Sequence, residues 1–300
     1  MEWHKVGVSL YQQNNKAMKT TKTLDALILL TDETDINLYK YIADAIVSYG
    51  TDALPLLRKK ISTSNDICQQ EKIESLIYVI EHNDVVKKLR QWNSSRQYDL
   101  LEPYFILARH RFPHANWDMI GFQIVMMIEQ AERELTDDLT PLEKVKVLNH
   151  IIYGVNGFKG DKVSITNPDY YYINTLFETR IGNPLSLGLL YVIVAQRLGL
   201  PVYGICLPYH FILAYTKKVE TMPQLEDVLF YINPFNNGTP LMRKDIRNYL
   251  NELNIRPELK YFEPTNNTLI VRKLFNTIIE TYSMSGKINE ANELREIMNY

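Results

Sequence analysis

The chain has 300 residues, 46% of them hydrophobic and 23% charged, with a formal net charge of −2. That composition provides a sizeable core for two domains, or for one domain with helical additions. The near-zero charge lends no support to a nucleic-acid or anionic-membrane partner. The two cysteines, Cys68 and Cys206, lie far apart and without metal-ligand spacing. They argue against a disulfide framework and for a reducing, cytoplasmic setting. No run of about 18 apolar residues is present, so no membrane span is expected. The opening "MEWHKVGVSLYQQNNKAMKT" has no apolar run long enough for a signal peptide.

Residues 20–92 carry helical patterning. "INLYKYIADAIVSYG" sets Ile36, Tyr39, Ile42, Ala43 and Ile46 at helical spacing and stops at Gly50. "DALPLLRKKIS" has Asp52 ahead of its apolar run and Pro55 in its first turn. "QEKIESLIYVIEH" repeats the pattern through Ile73, Ile77 and Ile80. Paired helices with a Leu-Pro-Leu entry resemble HEAT-type repeats. The polar stretch "WNSSRQYDL" at 92–100 marks a boundary. "NWDMIGFQIVMMIEQAERELTDDL" then predicts a helix with Ile120, Ile124, Met127, Ile128 and Ala131 on its apolar stripe. "TPLEKVKVLNHIIYG" opens with a capping box, Thr140 with Glu143, and with Pro141 at the first helical position. His150 is expected to be an ordinary, partly buried residue of that helix.

A Gly-, Asn- and Asp-rich connection leads to a short helix near 170–178, and an apolar helix is expected over 186–198. "VYGIC", "FILAY" and "LFYIN" predict three antiparallel strands near 202–206, 211–215 and 229–232. A helix follows over 241–253. The tail reads as two helices hinged at Ser285–Gly286, similar to a single tetratricopeptide-like hairpin that must pack on something else.

"RIGNPLSLGLLY" at 180–191 and "PYHFILAY" at 208–215 hold the residues of chemical interest. A thiol hydrolase or acyltransferase needs a cysteine at a helix N-terminus, where free amides favour thiolate. It also needs a His base and an Asp or Asn that orients it. Asn183 is the expected cap and Pro184 the first helical residue. His210 begins the second strand and Asn233 ends the third, where the two side chains could meet. Ser186 points about 200° away from position 184 on a helix, and is read as a helix-start residue bonding backbone amides. Cys206, four residues before His210, is about 13 Å from it in an extended chain. Tyr191 and Tyr215 are assigned to packing, and Tyr209 to the cleft. Asp169 and Glu178 lack ligand spacing, so no metal is expected. "GFKGDK" lacks the residues of a phosphate loop, and no cofactor is expected.

The pieces "GFKGD" at 157–161, "RIGNPLSLGLLY", "QRLGLPVYGI" at 196–205, "PYHFILAY" and "INPFNNG" at 232–238 together resemble the SirB-type branch of the transglutaminase-like superfamily, which shares the papain-like architecture. The resemblance implies an α+β, helix-rich fold: a transglutaminase-like core with a small antiparallel sheet, flanked by α-helical repeat-like segments. The expected organisation is a HEAT-like region over 1–95, a transglutaminase-like domain over 96–260 and a tetratricopeptide-like hairpin over 261–300. Carried onto this chain, the family's cysteine, histidine and acid positions are Pro184, His210 and Asn233. A proline offers no nucleophile, so the implied function is non-catalytic binding of a protein or peptide. The alternative is an amide-bond hydrolase or acyltransferase in which Cys206 or Ser186 acts with His210 and Asn233. On the intact plan, a cysteine restored at 184 would have a depressed pKa.

Overall fold

A computed structural model describes residues 22–94, 99–219 and 223–298. The leader expectation for residues 1–20, and part of the 92–100 boundary, lie outside the described residues. The chain divides into two compact units between Lys88 and Leu89.

The first unit is helical. Helix α1 covers 22–29, and α2 (Ile36–Ser48), α3 (Leu54–Thr63) and the start of α4 (Ile67–Ser94) follow. Asp35 caps α2 by accepting from the amides of Asn37 and Leu38, and Gly50 takes the left-handed φ of +60° that ends the segment. Ile42, Ile46, Leu57, Ile73 and Ile80 meet in one core. Ile36 does not join them: it stands in the first turn of α2 and is 79% exposed.

The second unit starts with α5 (Leu101–Arg111), which the sequence patterning had passed over. Its buried residues, Pro103, Tyr104, Ile106, Leu107 and Ala108, fall in one apolar run, with Glu102 before it and Arg109, His110 and Arg111 after it. Next come α6 (Trp117–Glu134) and α7 (Pro141–Asn149), the latter closed by the Thr140–Glu143 capping box. A π-helical turn, His150–Val155, extends α7. His150 is exposed there rather than partly buried. Strand β1 (Lys159–Gly160), α8 (Val163–Thr166), a 3-10 turn (Pro168–Tyr171), α9 (Ile173–Thr179) and β2 (Ile181–Gly182) then lead to α10 (Pro184–Arg197). β1 and β2 pair in parallel. Leu185 through Ala195 of α10 are all buried, as expected of a helix apolar on every side.

Four antiparallel strands run in the order β3 (Val202–Leu207), β4 (His210–Thr216), β5 (Val228–Asn233), β6 (Thr239–Leu241). Helices α11 (Arg243–Glu252), α12 (Asn267–Met284) and α13 (Ile288–Met298) complete an α+β, helix-rich unit. Among the described residues, no helix is long and apolar enough to cross a membrane.

The pleat sorts the sheet into two faces. Ile205, Leu207, Ile212, Ala214 and Tyr231 pack with Ile246 and Leu250 of α11. Phe211 points to the other face, where the structure leaves room only for glycine. A Cβ at Gly188 of α10 would lie 2.4 Å from Phe211 Cδ1, and one at Gly204 of β3 would lie 2.5 Å from its Cζ. The ring is thus clasped between helix and sheet. Gly188→Ala is expected to destabilise the protein by about 1–3 kcal/mol through overpacking, with Phe211→Leu restoring part of the loss. Urea denaturation of the single and double variants tests this; unchanged stability in Gly188→Ala would contradict the close approach.

Candidate functional site

The mouth of α10 is built around Asn183, which is fully buried. Its Oδ1 accepts from the amides of Leu185 (3.0 Å) and Ser186 (2.9 Å). Its Nδ2 donates to the carbonyls of Ser164 and Tyr170, each at 3.3 Å. Ser186 returns the cap, its Oγ accepting from the Asn183 amide at 3.0 Å. Pro184 has no N–H to offer. The first turn of α10 therefore presents no amide free to polarise an incoming group at positions 184–186. Pro184 itself is half-buried, whereas Ser186 is fully buried with its hydroxyl engaged.

The β3–β4 hairpin turns through Pro208 and Tyr209, pairing Leu207 with His210 and Cys206 with Phe211. This replaces the extended-chain separation inferred for Cys206 and His210. The hairpin folds the two strands side by side, but the pleat sends the two side chains to opposite faces. Cys206 shares its face with Phe211. Burial pushes its thiol up, outweighing Thr265 and Lys273, which act in the other direction. His210 falls on the face of Leu207 and Ile212, with its ring 5.8 Å from that of Tyr249 on α11 and 6.4 Å from that of Phe235.

His210 and Asn233 are not hydrogen-bonded. Asn233 Oδ1 accepts from the amides of Phe235 (3.1 Å) and Asn236 (3.3 Å), capping the 3-10 turn Pro234–Asn236. His210 Nδ1 is buried without a partner, and burial lowers the imidazole pKa to about 4. Tyr209 plugs no cleft: it stands 87% exposed at the hairpin tip with φ +57°. Tyr191 and Tyr215 are buried. None of Asn183, Pro184, Ser186, Cys206, Tyr209, His210 and Asn233 lines a pocket of about 540 Å³ that lies beside α5 and α9. The sequence reading missed that pocket because it missed α5, although Glu102 in the first turn and Arg109, His110 and Arg111 in the last are helix-dipole signals.

The neutral imidazole makes stability depend on pH. The folded-state value lies below the unfolded ~6.5, so the unfolded chain takes up the proton first as pH falls. The stabilisation is complete above about pH 6.5 and is lost towards pH 4, by roughly 3 kcal/mol at most. His210→Phe is expected to flatten the fall in urea stability between pH 7 and pH 4.5. Parallel losses in variant and parent would contradict this.

Residues 121–276 match the family profile described as the Transglutaminase-like superfamily. A UPF0162 protein of Xylella fastidiosa is 29% identical over 174 residues, covering 56% of this chain and 57% of that protein. Protein SirB1 of Salmonella typhimurium is 27% identical over 160 residues, covering 52% of this chain and 56% of that protein. F-box only protein 21 of Mus musculus is 31% identical over 98 residues, 33% of this chain but 16% of that protein. The chain thus spans little more than half the length of these two bacterial relatives. No solved structure matches it significantly. On these matches and the fold that carries them, the chain belongs to the transglutaminase-like superfamily, in its SirB-type branch.

Proposed function

We propose that this chain is a non-catalytic transglutaminase-like protein that binds a protein or peptide partner. The observation that carries the proposal is the occupancy of the α10 mouth. Asn183 accepts the amides of Leu185 and Ser186, and Pro184 stands at the position that the family resemblance assigns to the nucleophile. Thiolate formation at a helix mouth depends on free amides and a nearby base. Here the amides are taken, and the imidazole of His210, beside the rings of Tyr249 and Phe235, is weakened as a base by burial. Amide-bond chemistry through Ser186 or Cys206 draws no support: the Ser186 hydroxyl is buried in the capping box, and the Cys206 thiol is raised by burial on the face opposite His210.

Binding is supported at the hairpin tip. Tyr209 holds a left-handed φ of +57°, a conformation that costs an ordinary side chain roughly 1–2 kcal/mol. Pro208 before it gives the pattern of a type II turn, and the Tyr249 hydroxyl donates to the Pro208 carbonyl at 2.7 Å. An exposed aromatic kept in a costly conformation on a braced turn suits a contact surface. The proposed domain occupies 96–260. The HEAT-like helices of 1–95 and the tetratricopeptide-like hairpin of 261–300 offer further binding surface. The two free cysteines suit a reducing, cytoplasmic setting. The match within the much longer F-box only protein 21 is in keeping with a module carried in different chains.

Peptides selected by display against the whole chain and measured by calorimetry test the proposal. Saturable binding that Tyr209→Ser weakens about tenfold, some 1.4 kcal/mol, is the expected result. Turnover of amide or ester substrates that Ser186→Ala or Cys206→Ala abolishes would overturn it.

A further inference from the structure

The outer side of α6 carries an exposed apolar stripe. The inner side of this helix is formed by Ile120, Ile124, Met127 and Ala131, all buried. At about 100° per residue, Phe122 points roughly 170° away from them. Met119, three residues before Phe122, and Met126, four after it, lie along one flank, and Val125 lies along the other. Phe122 is 60% exposed, Met119 and Val125 about half exposed, and Met126 half-buried. A lone exposed apolar residue is ordinary. Four adjoining ones on a single helix face have the spacing at which a partner helix makes contact.

The charge around this stripe has one sign. α6 carries Asp118, Glu129, Glu132 and Glu134 against Arg133 alone. Arg133 reaches Glu129 at 3.8 Å, and His150 Nε2 lies 4.0 Å from Glu134. Glu132 and Glu134 stand in the last turn, where the helix carbonyls already disfavour negative charge. Two further cations reach α6 from other elements, and neither neutralises the outer face. Arg109 lies over the Trp117 ring at 5.5 Å. Arg180 donates to Gln123 at 2.8 Å and lies over the rings of Phe158 and Phe177. Trp117 and Gln123 both point within about 70° of the buried side of the helix.

We propose that this face docks an amphipathic helix of a partner protein, one that carries Lys or Arg beside its apolar stripe. The apolar residues of such a helix meet Met119, Phe122, Val125 and Met126. The unbranched Met side chains adapt to the shape laid against them. The partner's cations meet Asp118, Glu129 and Glu132, which gives the contact its charge complementarity. A second copy of this chain fits poorly, because a two-fold contact brings two acid-rimmed faces together. The inference uses a different element from the hairpin tip and does not depend on whether that tip binds peptides.

Fluorescence anisotropy on the whole chain tests it, with a labelled amphipathic peptide of leucine and lysine, and its counterpart with glutamate for every lysine. Saturable binding of the lysine peptide is expected, with none of the glutamate peptide. Phe122→Ser should weaken it about tenfold, as for a central aromatic contact. Glu129→Gln combined with Glu132→Gln should weaken it severalfold, by a margin that shrinks as salt is raised. Phe122 and Val125 are both exposed, so Val125→Ser keeps the test decisive if Phe122→Ser fails to fold. The proposal falls if the lysine peptide does not saturate, if the glutamate peptide binds as tightly, if neither serine variant weakens binding, or if the paired Gln substitutions change nothing. Sedimentation of the chain alone completes the test: a dimer that Phe122→Ser dissociates would assign the face to a second copy and overturn the proposal.

Discussion

The carboxamide of Asn183 is the contact on which the second unit turns. A primary amide has two acceptor lone pairs and two donor hydrogens, and all four are used: two amides of α10 on one side, and the carbonyls of Ser164 and Tyr170 on the other. One side chain therefore ties together the start of the central helix, α8 and the 3-10 turn Pro168–Tyr171. Burying so polar a group is tolerable only because nothing in it is left unmatched. The same satisfaction empties the helix mouth of the electrostatic pull that a nucleophile would draw on.

The sheet sets the second constraint. Phe211 fills the space between Gly188 and Gly204, so its neighbour His210 must face α11. There the imidazole is surrounded by Tyr249 and Phe235, and burial keeps it neutral. Asn233 spends its side chain on a local cap. The residues at the three family positions thus each serve the fold in their own neighbourhood. Pro184 starts a helix, His210 packs under a hairpin and Asn233 closes a turn. That division is what the proposed loss of chemistry rests on.

Much of this was legible in the sequence. Thr140-Pro141 with Glu143, and Asn183-Pro184 ahead of an apolar run, are local signals whose physics is complete within a few residues, and both helices begin where those signals place them. The strands at 202–207, 210–216 and 228–233 announced themselves through β-branched and aromatic runs. The direction of His210 was harder to see. It follows from the two-residue turn at Pro208–Tyr209, which pairs 207 with 210 and so decides every face. Cys206 could have been placed by the same count. β6 left no signal, being three residues long with Pro240 at its centre, which an edge strand tolerates.

The central claim is that the α10 mouth is closed upon itself, and not merely short of one sulfur atom. Titrating the thiol of Pro184→Cys by its rate of alkylation against pH measures this directly. With the Leu185 and Ser186 amides held by Asn183 and the His210 imidazole kept neutral by burial, the thiol pKa should stay at or above the free value of ~8.5. A value depressed to about 6 or below would mean that the mouth still stabilises an anion, and would contradict the account.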